Sequence, residues 1–299
     1  MVCLRGIRPN TAHAYHRKEN IMKNSKTRTV LFCLWVIIAM LAVQSAVTMI
    51  GLLPKSYQLL SEADGVSSVY REKYNDYIQN TPILTILQFV SEIVSIVAAA
   101  VWYYLGYVKK DKENGTYRPF GMKFKGYKSI CFILCGTLAC WGFASVLQQI
   151  VSMLMPATAS AVNDLLNATL GGYEVLGIIT LVLLAPIFEE LAVRGIILQR
   201  SKRAFGVAGC MIISAVMFGI FHMNPIQAIY VLPLGLFWGY VGYRFNTVIP
   251  CIFCHILNNL LGIIMPSYIN PVIIFIVFGA AAALIGVRLD AGSDTAKGE

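Results

Sequence analysis

Six residues in the second half of this chain combine acid–base side chains with spacings that place them on common helix faces. Glu189 and Glu190 are adjacent, and Arg194 follows Glu190 at i,i+4, where side chains on a helix meet and pair. Glu189, five before Arg194, lies about 140° round the helix from it and faces elsewhere. One carboxylate is then neutralised, and its neighbour is left for another task, such as general acid–base catalysis. Phe218 and His222 share a face, as do His255 and Asn259, each pair again at i,i+4. Glu189, His222 and His255 could together hold Zn²⁺ with one position open to water. Alternatively, Glu189 and His222 activate water directly, while His255 and Asn259 donate hydrogen bonds to an oxyanion. Either route hydrolyses an amide. Taken singly, each motif also has a purely architectural reading: a buried ion pair, an interfacial histidine, a His–Asn hydrogen bond between helices.

The elements that must position these residues are apolar. Of 299 residues, 57% are hydrophobic and only 13% are charged, against about 25% charged in soluble domains. The mean hydropathy is +0.67. This composition excludes a water-soluble globule, a disordered chain, a coiled coil and collagen. Eight apolar runs are legible, at 30–53, 82–108, 129–155, 175–198, 205–222, 226–243, 247–265 and 267–287. Hydrocarbon offers no partner to unpaired backbone groups, so each run is expected to be a helix. The predicted fold is an all-α polytopic membrane bundle of about eight transmembrane helices, with the catalytic core in spans four to seven. Residues 1–28 form a basic tail, 29–288 a single bundle and 289–299 a short polar tail. The segments 54–81 and 156–174 are expected to be polar loops, with Pro54 ending the first run and Pro186 kinking the fourth. Ionisable groups inside spans are costly and are functional candidates by default; they are Glu92, Glu189, Glu190, Arg194, His222 and His255.

Net charge is +9, but the basic residues sit in short clusters beside apolar runs, which sets topology and argues against nucleic acid as a partner. With the N-terminus inside, 20 Lys/Arg fall on the cytoplasmic side and three outside. Both termini are therefore expected in the cytoplasm of a multi-pass cell-membrane protein. Cys251-Ile-Phe-Cys254-His255 matches the spacing of covalent haem attachment. Inside a span, these cysteines are expected to be packing residues instead.

Other hydrolase signatures are missing: there is no H-E-x-x-H, no G-x-S-x-G and no aspartate within a span. The three motifs that are present, E-E-x-x-x-R, F-x-x-x-H and H-x-x-x-N on successive spans, resemble those of the CPBP family, the CAAX-protease and bacteriocin-processing (Abi) group. Their contexts P-I-x-E-E-x-x-x-R-G, F-G-x-x-H-x-N-P-x-Q and H-x-x-N-N are similar too, over residues 182–262. The resemblance implies an intramembrane endopeptidase acting on a membrane-associated or hydrophobic peptide or protein. It implies Glu189 as the catalytic glutamate, His222 as its aid in activating water, and His255 with Asn259 as the oxyanion site. Glu190 and Arg194 would support them. The family has been described both as zinc-dependent and as a metal-independent glutamate protease, so both routes stay open. Val193 stands where the family often has Phe or Tyr. Two other classes use the same residue types: a non-catalytic membrane immunity or scaffolding protein, and a proton-coupled transporter. Clustering in one half, without an inverted repeat, counts against the transporter.

One difficulty follows from straight spans. Glu189 and His255 lie mid-span, whereas His222 lies at the end of its run, so one helix must be tilted, broken or re-entrant for the three to meet.

Overall fold

A computed structural model describes residues 11–117, 124, 126–170, 174–266 and 268–294, without the side chains of 11–24, 163, 165–170 and 290–294. The first ten residues of the basic tail, the loop cations Arg118, Lys123 and Lys125, and residues 295–299 lie outside the described residues. The described residues form ten helices and no strand: α1 Thr11–Glu62, α2 Ser67–Asn80, α3 Ile83–Glu113, α4 Tyr127–Leu154, α5 Pro156–Leu170, α6 Glu174–Ser201, α7 Val207–Phe221, α8 Pro225–Phe245, α9 Ile249–Ile264 and α10 Pro271–Asp294. The eight apolar runs correspond to α1, α3, α4 and α6–α10. Six of these are long and apolar enough to cross a membrane; α7 and α9, at 15 and 16 residues, are shorter. The polytopic helical bundle expected from composition is borne out.

The two segments read as loops are largely helical. α1 runs through Pro54 to Glu62, and α2 and α5 occupy most of the rest. Past Pro54 the helix is held by contacts at helical spacing, Lys55 to Gln58 and Gln58 to Glu62. Such local side-chain pairs favour a helix without giving an apolar signature. Pro156 opens α5, where its missing N–H costs nothing.

α6 is the axis of the bundle. Its residues from Leu191 to Leu198 are all buried, as expected of a helix that is apolar on every side. One apolar cluster joins its Phe188, Leu191, Ala192, Ile196 and Ile197 to α1 and α3. A second joins its Val193 to Phe218, Trp238, Cys251 and Cys254 of α7, α8 and α9, and to α4 and α10. Val193, the residue that departs from the family pattern, is fully buried there. Because lipid is as apolar as a leucine side chain, helices associate through close packing, which small residues allow. A Cβ on Gly235 of α8 would stand 2.9 Å from the Ala215 Cα of α7, and one on Gly219 of α7 would stand 2.9 Å from the Ala228 carbonyl of α8. α7 and α8 thus form a tight hairpin.

Candidate functional site

α6 is not a uniform α-helix. Thr180–Leu184 and Leu191–Ile197 are π-helical, on either side of the short α-helical stretch Ala185–Glu190 that carries both acids. Such widened turns occur frequently at functional sites. The first has a visible cause. In a π-turn the Leu181 carbonyl would accept from residue 186, but Pro186 has no N–H to give. Asn259 of α9 supplies the missing donor, its Nδ2 lying 2.9 Å from the Leu181 oxygen. Pro186 therefore widens the helix just before the acids and fastens it to α9.

His222 caps the short helix α7. Its own N–H bonds to the Gly219 carbonyl at 3.3 Å, which releases the Phe218 carbonyl to accept from the ring Nδ1 at 2.8 Å. Met223 then takes a left-handed conformation, φ 53°, and Asn224 caps α8 by accepting from Ile226 and Gln227. A helix of 15 residues is about 22 Å long, short of a hydrocarbon core of about 30 Å. This shortness resolves the difficulty of depth: the end of α7 reaches the level of mid-span residues on its neighbours.

The six sequence-selected residues meet here. Glu190 and Arg194 form the i,i+4 ion pair, Oε1 to Nη1 at 2.6 Å, with both side chains fully buried. The same Oε1 lies 3.0 Å from His255 Nδ1, and Arg194 Nη2 donates to the Gly235 carbonyl at 3.1 Å. Glu189 Oε2 lies 3.7 Å from His255 Nε2 and 3.9 Å from His222 Nε2. It is buried and has no hydrogen-bond partner among the described residues. Asn259 is one turn along from His255 and uses part of its amide on α6.

The hydrogen bonds assign the ring protons. The Phe218 carbonyl can only accept, so His222 carries a proton on Nδ1, and in the neutral ring the lone pair is on Nε2. His255 likewise donates Nδ1–H to the Glu190 carboxylate. Two lone-pair nitrogens from different helices therefore face one free carboxylate oxygen.

Aromatic rings hold this geometry, and local sequence spacing does not reveal all of them. Trp238 stacks on His255, with centroids 4.4 Å apart at 29°. Phe218 meets both imidazoles edge-on and, together with Trp238, lies beneath the Arg194 guanidinium at 4.7 and 5.3 Å. Trp238 and Gly235 read in sequence only as apolar filler of α8. The one available signal was the four-residue rule linking Phe218 to His222. Cys251 and Cys254 are buried free thiols, with Cys251 bonded to the Trp238 carbonyl at 3.3 Å.

The donor set for zinc can be tested against this geometry. Ligands about 2.0–2.2 Å from a tetrahedral ion stand roughly 3.3–3.6 Å from one another. The separations from Glu189 are 3.7 and 3.9 Å, and no three His, Cys, Asp or Glu side chains among the described residues are grouped to hold a metal.

The described residues form an all-helical bundle in which a carboxylate oxygen of Glu189 faces the imidazoles of His222 and His255. Within it, residues 171–261 match the family model described as type II CAAX prenyl endopeptidase, Rce1-like. This match agrees with the CPBP resemblance of the motifs. No curated protein and no solved structure matches the chain.

Proposed function

We propose that the protein is an intramembrane endopeptidase that cleaves a hydrophobic or membrane-associated peptide by glutamate-activated water, without a metal in the catalytic step. The observation that carries this reading is the free Oε2 of Glu189, buried and facing the Nε2 atoms of His222 and His255. A water placed among these three acceptors has hydrogen-bond partners for both of its protons. Glu189 takes one proton as the water oxygen attacks the scissile carbonyl, and His222 orients the water through its lone pair. General-base assistance of this kind is worth about 10²–10⁴ in rate.

The developing oxyanion needs donors. Asn259 has a second N–H beyond the one given to Leu181. His255 stays tied to Glu190 through Nδ1 and turns its Nε2 toward the attacking water beside Glu189. Glu190 and Arg194 are the frame, fixing the His255 tautomer and the rotation of α6. The membrane orientation that accompanies this reading has both termini in the cytoplasm, in a cell membrane, from the 20-to-3 distribution of Lys/Arg.

The test is cleavage in proteoliposomes of two probes: a quenched-fluorescent library of hydrophobic peptides and a farnesylated peptide ending in Cys-aliphatic-aliphatic-X. Cleavage of either that survives exhaustive treatment with chelator supports the reading. Loss of cleavage on chelation, restored by Zn²⁺, overturns its metal-free form; no cleavage of either probe overturns the endopeptidase itself.

A further inference from the structure

Glu92 of α3 lies outside every motif considered so far, in the half of the chain that the matched domain does not cover. It is 2% exposed. Its Oε1 accepts two hydrogen bonds, from Gln88 Nε2 at 2.6 Å and from Gln44 Nε2 of α1 at 3.2 Å. Its Oε2 is buried and has no partner among the described residues. A carboxyl group whose two donors converge on one oxygen has the other free to carry a proton and donate it.

The surroundings place this group beside the site. Ile96, one turn on from Glu92, and Ala99 pack in the same apolar cluster as Phe188 and Leu191, which bracket the two acids of α6. α3 packs against the stretch Ala185–Glu190 of α6 that carries both acids. Gln88, Ser91, Glu92 and Ser95 recur at three- and four-residue spacing, so α3 presents a polar stripe. Ser91 and Ser95 are fully buried, with hydroxyls that have no partner among the described residues. Serines suit close helix packing, whereas a buried carboxyl with an unpartnered oxygen inside a span is a functional candidate.

Resting on the endopeptidase reading above, we propose that Glu92 is the proton donor to the leaving nitrogen, held in place by Gln44 and Gln88. Peptide hydrolysis has two proton requirements. Water gives one proton to Glu189 as its oxygen bonds to the carbonyl carbon. When the C–N bond breaks, the nitrogen takes its electron pair and must gain a proton, which Glu92 Oε2–H supplies, directly or through one water. Glu92 is then a carboxylate and Glu189 a carboxylic acid. Transfer of that proton from Glu189 to Glu92 restores both groups, and the sum is amide plus water giving acid plus amine. The two carboxyls thus divide base and acid work between one helix of the matched domain and one outside it.

The experiment compares a peptide cleaved by the wild type with its depsipeptide, in which an ester oxygen replaces the scissile nitrogen. An alkoxide leaves far more readily than an amide anion and depends less on a proton donor. Glu92→Gln keeps the shape and an Oε1 acceptor for Gln44 and Gln88. It is expected to lose on the order of 10²-fold in kcat on the peptide and less than about threefold on the ester. Glu92→Asp, which retains an acid, should keep more peptide activity than Glu92→Gln. Equal losses on both substrates would show a structural role, and undiminished peptide cleavage would show no role; either overturns the proposal. If Glu92→Gln does not fold, the Glu92→Asp ratio of peptide to ester rates decides, an unchanged ratio being the negative result. Glu189→Gln must lose both activities; if it loses neither, the glutamate-activated-water reading fails, a result distinct from any outcome at Glu92.

Discussion

Glu189 and Glu190 are neighbours on α6 and face opposite circumstances. The Glu190 side is the more closed: through Oε1 a guanidinium, an imidazole and, through Arg194, a backbone carbonyl of α8 form one connected set inside an aromatic enclosure, although Glu190 Oε2 and Arg194 Nε have no partner among the described residues. The Glu189 side is open, with a free oxygen and two histidine lone pairs a little beyond hydrogen-bonding distance. A buried ion pair is weak evidence for stability in itself, but breaking one is costly. The closed side therefore determines where the open side points. Two consecutive residues of one type separate architecture from chemistry because the helix turns about 100° between them.

On the closed side the effects should fall on stability, in descending order. Glu190→Gln leaves Arg194 without its counter-charge and removes the anchor of His255. It should cost about 3–5 kcal/mol, read as a lowered midpoint of thermal unfolding in detergent. An unchanged midpoint would mean that the pair does not hold α6. Asn259→Leu leaves the Leu181 carbonyl, already deprived by Pro186, without its donor; beside the turnover lost with the second N–H, a loss of about 1–3 kcal/mol in stability is expected. If this variant unfolds like the wild type, the fastening of α9 to the π-turn is dispensable. The double change of Cys251 and Cys254 to Ala should cost least, about 1–2 kcal/mol of packing, with turnover retained. A covalently attached haem absorbance in the purified protein would refute the packing role of these thiols.

The same contrast marks what sequence reveals. The Glu190–Arg194 pair follows from one helical turn, and the eight apolar runs from composition, because both are local. The meeting of Glu189 with His222 depends on α7 stopping at 15 residues, on a left-handed Met223 and on a glycine that lets α8 approach. None of these has a periodic signature. Trp238 and Gly235 belong to the site through tertiary packing alone. α2 and α5 were hidden for another reason: the first is polar and the second small and mixed in character, and neither has the apolar periodicity that announces a helix. Glu92 stood out as a charge in a span, but its proximity to Glu189 depends on how α3 lies against α6.

The central claim is that the two acids differ in kind, and it is tested most directly at Glu189. Turnover of the cleaved peptide and thermal unfolding are measured for wild type, Glu189→Gln and Glu190→Gln in one detergent. The account predicts that Glu189→Gln unfolds like the wild type but turns over on the order of 10²–10⁴ more slowly. Near-normal turnover by Glu189→Gln, beside a stable but inactive Glu190→Gln, would contradict it.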